Sequence, residues 1–142
     1  MAFVRCYTGT DGQSHFEDLD LLPPDMERSI EQAASSITFT RSPNGRFSDW
    51  HNAPRRQYAI FLSGGQMEVV IGDGTTRRFG PGDAVLFEDL TGQGHTSRSV
   101  GGDRLTAIVP LADYLLPWVV YPMAADNDFI PKTGSLMLVG SD

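Results

Sequence analysis

Two histidines stand well apart in this chain, each in a setting that suits proton or metal chemistry. His51 closes a short alternating run that starts at Phe47, and His95 follows the loop Thr91-Gly92-Gln93-Gly94. Between them lie strand-like segments punctuated by Gly64-Gly65, Asp73-Gly74 and Gly80-Pro81-Gly82-Asp83. Two histidines that bracket a hairpin of strands can face one cavity. There an imidazole can act as base, acid or neutral ligand. Side chains two apart on a strand share a face, so an inward His51 brings Asp49 with it. Asp49 is then a carboxylate ligand, or the partner of His51 in a His–Asp dyad, or a solvated strand-end residue.

Arg55 and Gln57 share the parity of His51. An arginine facing the cavity selects a carboxylate or phosphate on a substrate, whereas a pair such as Arg55-Arg56 is more often surface or interface charge. Gln57, if buried, needs hydrogen-bond partners and holds His51 or a water as readily as a ligand. Ala59 and Phe61 continue that face, which makes an apolar pocket floor with Phe61 against the substrate. Ser97 shares the face of His95. Glu88-Asp89 reads as a solvated loop edge, with a general acid at the cavity mouth as the alternative. His15 reads as a surface residue.

The elements that must position these groups are β. An extended start at Phe3 to Tyr7 and a turn at Gly9 to Gly12 come first. Pro23-Pro24 and the plausible N-cap Asp25 then predict a short helix over Met26 to Ala34. From Ser36 onward the pattern is strands: Ile37 to Thr40, Phe47 to His51, Arg56 to Leu62 ended by Gly64-Gly65, and Gln66 to Ile71. After the tight hairpin signal Gly72-Asp73-Gly74 come Thr75 to Phe79, Ala84 to Phe87, His95 to Ser99, and Arg104 to Val109 beyond Gly101-Gly102. Turns recur roughly every 8–12 residues, the signature of an all-β sandwich or barrel. Tyr58, Ile60 and Leu62 make the far face of their strand apolar too, so a cover is expected there. Residues 111–142 form an apolar C-terminal extension, and the chain reads as a single domain.

Over about Ser36 to Val109 the chain resembles the cupin superfamily. One cupin motif aligns with His51-Asn52-Ala53-Pro54-Arg55-Arg56-Gln57, then Tyr58 to Leu62 and Gly64. The other aligns with Gly80-Pro81-Gly82-Asp83-Ala84-Val85-Leu86-Phe87, then Gly92-Gln93-Gly94-His95. The resemblance implies a double-stranded β-helix (jelly-roll) barrel with its core at about 36–110, and a homodimer. It also implies a divalent metal (Fe, Mn, Ni or Zn) on His51, Gln57 and His95. The family's ligand set is three His and one Glu. Here Ala53 stands at the second His and Gln57 at the Glu, so half the set is replaced and the anion is missing.

Composition bounds the partners. The 142 residues are 40% hydrophobic and 20% charged, enough for one core and ordinary for a globular protein. With 11 Lys+Arg against 18 Asp+Glu the net charge is −7, which argues against nucleic acid or an anionic membrane. Cys6 is the only cysteine, so no intramolecular disulfide or multi-cysteine zinc site forms, and a cytoplasmic protein is expected. No signal peptide is read at the start. Tyr114 to Met123 is about half the ~20 residues of a membrane-spanning helix.

The expected function is a small-molecule enzyme with its site inside the barrel. With metal, oxygenase, isomerase or lyase chemistry is implied, with His51, His95 and Asp49 as catalytic residues and Arg55, Phe61 and Ser97 binding substrate. The alternatives are a metal-free acid–base isomerase or cyclase using the two histidines, and a non-catalytic small-molecule-binding cupin. No nucleotide cofactor is expected.

Overall fold

The structure is a computed structural model that describes residues 1–112; the C-terminal extension from 113 lies outside the described residues. Eight strands make up the regular structure: β1 (Phe3–Thr8), β2 (Ser14–Asp18), β3 (Thr38–Ser42), β4 (Phe47–His51), β5 (Gln57–Val70), β6 (Thr76–Phe79), β7 (Ala84–Glu88) and β8 (His95–Pro110). They form one mixed sheet in the order β2-β1-β7-β5-β8-β3, with β4 added on β8 and β6 on β5. The hydrogen-bonded path ends at β2 and β3, so the expected barrel is not closed among the described residues. β1 runs parallel to β7, and the other pairings are antiparallel.

Two strands are far longer than the sequence implies. Gly64-Gly65 and Gly101-Gly102 read as turns that end strands. Instead they lie opposite each other inside β5 and β8, which pair from Gln57↔Pro110 to Val70↔Thr96. The register shifts between Phe61 and Ser63 and again between Gly64 and Gln66. Such bulges bend a strand without ending it. The first half of β5 and the second half of β8 therefore belong with β7 and β3, while their other halves belong with β6 and β4. The two halves share the core of Val4, Cys6, Ala59, Phe61, Val69, Phe79, Val85 and Phe87.

The helix expected over Met26 to Ala34 does not form. Met26 closes a turn on the Pro23 carbonyl, and Ser35 donates to Pro110. Ala34 makes an isolated bridge to Leu111. The segment gains more as a strap than as a helix, because Ile30 packs on Leu86 and Leu111. Gln32 also meets the Tyr58 hydroxyl at 2.9 Å. In the Gly80-Pro81-Gly82-Asp83 turn, Asp83 accepts from its own Gly80 N at 3.0 Å and from Ala2 N at 2.8 Å. That aspartate closes the turn and anchors the N-terminus. On the outer face of the sheet Ile60, Leu62 and Phe39 are exposed, so the cover expected there is not supplied by the described residues.

Gly64 has φ +89°, and a Cβ built on it would lie 2.0 Å from the Asp103 carbonyl oxygen. Gly74 has the same φ but faces open space. Gly74→Ala should therefore cost about 1 kcal/mol, the left-handed penalty alone. Gly64→Ala should cost roughly 3 kcal/mol or more, because two backbones must separate. Urea unfolding of the pair checks this, and equal costs would contradict the close approach of β5 and β8.

Candidate functional site

A cavity of about 110 Å³ opens between the two halves, lined among others by His51, Gln57, Met67, His95, Arg104 and Thr106. Its position follows from strand register. His51 sits opposite His95 on adjacent strands, and directly opposed residues share a face. Gly94 permits this approach. It has φ +76°, and a Cβ there would lie 2.0 Å from the His51 carbonyl oxygen.

The two rings stand 4.4 Å apart between centroids, tilted by 60°. His95 also stacks on Phe87 at 4.9 Å. His95 is 2% exposed, whereas His51 is only partly buried. Each ring is oriented through Nδ1. His51 Nδ1 lies 2.6 Å from the Asp49 backbone carbonyl, and His95 Nδ1 lies 2.6 Å from Asp89 Oδ2. A carbonyl and a carboxylate only accept, so each Nδ1 carries the proton. Nε2 is then the ring nitrogen left with a free lone pair in the neutral form of each histidine.

Asp89 was read with Glu88 as a solvated loop edge, and the structure corrects both. Asp89 is fully buried at the end of β7. Its Oδ2 also accepts the Ser14 hydroxyl at 2.7 Å, and its backbone carbonyl accepts Ala53 N at 3.2 Å. Glu88 pairs with Arg5 at 2.8 Å and with Arg56 at 3.3 Å. The dyad expected at His51 is thus found at His95, with a different aspartate. Asp49 is exposed, and its carboxylate caps the backbone N of Trp50 at 2.9 Å. The reason is a bulge. Ser48 pairs with Ser97, but His51 pairs with His95, so one extra residue in β4 breaks the alternation that linked Asp49 to His51.

The remaining candidates divide. Gln57 lines the cavity, while Arg55 is exposed and reaches only Gln57 Oε1, at 3.4 Å. Phe61 is buried in the core against Phe79, and Ser97 is buried in β8; neither lines the cavity. His15 pairs with Asp11 at the surface. Arg104 and Thr106 went unread as site residues because of the second bulge. The inward face of β8 is odd-numbered at His95, Ser97 and Ser99. It is even-numbered at Arg104 and Thr106, beyond Gly101-Gly102.

The metal implied by the resemblance asks for an anion beside His51, Gln57 and His95. Among the described residues no carboxylate lines the cavity, Gln57 supplies a neutral amide, and the Arg104 guanidinium shares the space. These residues do not fit a resident divalent cation. Behind the cavity, Cys6, Asp89 and His95 place donor atoms within 4.8 Å of one another. There the His95–Asp89 contact of 2.6 Å is a hydrogen bond. Two ligands on a tetrahedral metal at zinc-like bond lengths sit about 3.3 Å apart. Burial first, then the neighbouring Asp89 charge, pushes the Cys6 thiol far above its ordinary 9.0, so it stays protonated.

Comparison with known proteins adds similarity of fold only. A DMSP lyase, DddQ, from Ruegeria pomeroyi is 20% identical over 61% of this chain and 42% of its own, with a TM-score of 0.46. The chain thus spans less than half of that lyase. The polyketide cyclase RemF from Streptomyces resistomycificus is 20% identical over 80% of this chain and 82% of its own, with a TM-score of 0.41. A putative ethanolamine utilization protein Q from Salmonella typhimurium is 14% identical over 80% and 98%, with a TM-score of 0.42. No protein-family model matches the chain. No curated protein matches it. Among the described residues, no helix is long and apolar enough to cross a membrane. Function must therefore be read from the site itself.

Two outcomes follow from this geometry. Asp89→Asn should destabilise the fold by roughly 2–3 kcal/mol, because two buried donors lose a charged acceptor. Asp49→Asn should change stability by less than about 0.5 kcal/mol, as for an exposed site. Chemical denaturation of both variants tests the reassignment of the dyad. Cys6 should resist Ellman's reagent in the native protein at pH 8 and react fully in denaturant. Its folded pKa is raised, so its share of stability is complete below pH 9 and falls as pH rises beyond the ordinary thiol value of 9.0. In Cys6→Ala, denaturation midpoints measured between pH 8 and 11 should lose part of this alkaline decline.

Proposed function

We propose that this is a cupin-type small-molecule enzyme that moves protons at carbon without a resident metal. One observation carries the reading. Two imidazoles stand 4.4 Å apart at one cavity, each held through Nδ1 by an acceptor, with no carboxylate among the described residues lining the space. The arrangement leaves two Nε2 atoms close enough for one substrate to reach both.

The roles differ by environment. His95 is the base. Asp89, bonded to Nδ1, stabilises the imidazolium that forms when Nε2 takes a proton. His51 has only a backbone carbonyl behind it and is more exposed, which suits a shuttle that exchanges protons with solvent or with a leaving oxygen. In the step proposed, a C–H bond next to a carbonyl breaks and its proton passes to His95 Nε2. The electron pair moves into the carbonyl to give an enolate. Return of the proton at another carbon is isomerisation, and expulsion of a leaving group is elimination. Attack of the enolate on an internal electrophile is cyclisation. Phe87 on the His95 ring, with Ala59, Met67 and Ile108, makes the surroundings apolar. A cavity of about 110 Å³ lies below the roughly 300–1,000 Å³ of drug-sized sites, so a compact substrate is expected.

The test is proton exchange, which needs no knowledge of the product. Small 2-oxo and 3-oxo acids and ketones are incubated with the protein in D₂O, and loss of α-proton signals is followed by NMR. Exchange should fall by about 10²–10⁴-fold in His95→Gln. His51→Gln should slow it by a smaller factor. Elemental mass spectrometry on untagged protein runs beside it. Near-stoichiometric iron, manganese, nickel or zinc that vanishes in both His51→Ala and His95→Ala would overturn the metal-free reading.

A further inference from the structure

Arg104 is a charged group in the wrong kind of surroundings for a structural arginine. It is 8% exposed and lines the same cavity as the two histidines. Its hydrogen bonds go to two buried neutral hydroxyls, Thr106 Oγ1 at 2.8 Å and Ser99 Oγ at 3.1 Å. Its Nε is buried with no partner. Among the described residues no carboxylate lies within ion-pair distance of it, and no acid lines the cavity. The contrast with Arg5 sharpens the point. Arg5 is buried too and meets both Glu17 and Glu88.

A guanidinium has five N–H donors, of which the two hydroxyls use two. An uncompensated buried charge is costly, and an arginine cannot escape the cost by losing its proton at neutral pH. The hydroxyls fix the plane of the guanidinium without neutralising it. Phe61 supports it from one side, with the guanidinium carbon 5.6 Å from the ring centroid. Such a fork, held in place and short of an anion, matches the two oxygens of a carboxylate.

We propose that Arg104 is the anchor for the carboxylate of a small monoanionic ligand. Thr106 and Ser99 act as positioning residues that orient the guanidinium. The inference deepens the acid–base reading of this cavity. It makes the substrate a small carboxylic acid whose reacting carbon lies on the histidine side and whose carboxylate lies on the Arg104 side. A carboxylate held by Arg104 also brings the cavity its missing negative charge. It leaves the Nε2 atoms of His51 and His95 free to work on the rest of the molecule.

The test titrates the whole protein with pyruvate, propionate and inorganic phosphate, with propionamide as the uncharged match for propionate. Histidine resonances and calorimetry are the readouts. Both carboxylates should bind and shift the His51 and His95 signals, and propionamide should bind at least about 10-fold more weakly, the factor that about 1.4 kcal/mol corresponds to. Arg104→Met should lose carboxylate binding by a similar factor. It should also melt no lower than the parent protein without ligand, since it removes an uncompensated charge. Arg104→Lys should keep part of the affinity. Should Arg104→Met not fold, Thr106→Val with Ser99→Ala serves in its place, since an unseated guanidinium should weaken carboxylate binding.

Equal binding of propionate and propionamide would overturn the proposal. So would undiminished carboxylate binding by Arg104→Met, or binding of phosphate alone. His95→Gln separates this inference from the proposed catalysis. It should bind pyruvate as the parent does while losing α-proton exchange. Arg104-dependent binding with no exchange in any variant would retain the anion site and remove the catalytic reading. Exchange that persists in Arg104→Met with unchanged KM would do the reverse.

Discussion

The buried carboxylate of Asp89 is the group on which the site depends. It follows β7 directly, accepts the hydroxyl of Ser14 from β2, and orients His95 at the start of β8. Its backbone carbonyl also fixes Ala53 in the approach to β5. One residue thus ties together segments far apart in sequence. A buried carboxylate is tolerable only when its oxygens are met. Oδ2 receives two donors, while Oδ1 has no nitrogen or oxygen partner among the described residues. Burial and the Asp89 charge keep the Cys6 thiol protonated, and His95, bonded to Oδ2, links the cluster to the cavity.

A second constraint is the paired bulge in β5 and β8. Without it each long strand would be straight and its inward face would keep one parity. With it, both strands turn from one half of the sheet into the other, and the parity of β8 changes between Ser99 and Arg104. The same change that bends the strand brings Arg104 to the cavity. Fold and binding chemistry therefore share one cause, the close approach of glycine-bearing backbones that no other side chain allows.

This explains which features were legible in the sequence. Local signals were read correctly where the pattern stayed regular. The β class, the tight turn at Asp73-Gly74, and the inward face of Ala59 and Phe61 all follow from alternation and turn chemistry. The opposition of His51 and His95 was legible from motif placement. Of the readings open for Asp49, the solvated strand-end residue is the one the structure shows, because an extra residue in β4 breaks the alternation that would carry it inward, and a bulge has no reliable signature beyond an occasional glycine. Gly64-Gly65 and Gly101-Gly102 did carry that signature, but a glycine pair that bends a strand looks like one that ends it. The helix over Met26 to Ala34 failed because tertiary contacts of Ile30 and Gln32 outweigh a weak local preference. Asp89 was missed for a plainer reason. An acid after an apolar strand is usually solvated, and only the positions of Ser14 and His95 show that this one is not.

The charges around the cavity are sorted by depth. The acid is behind His95, separated from the open space by the ring it orients. The base lies within the cavity wall, and among the described residues the formal positive charge of the lining sits at Arg104. A cation entering this space would meet Arg104 before any carboxylate, whereas an anion would find a compensating partner at once. The same arrangement that disfavours a metal therefore favours proton chemistry on an acid held by its carboxylate. Gln57 belongs to that logic, because it lines the cavity as a neutral amide and brings no charge of its own. A neutral amide can hold a water or a carbonyl oxygen and leaves the guanidinium to the substrate.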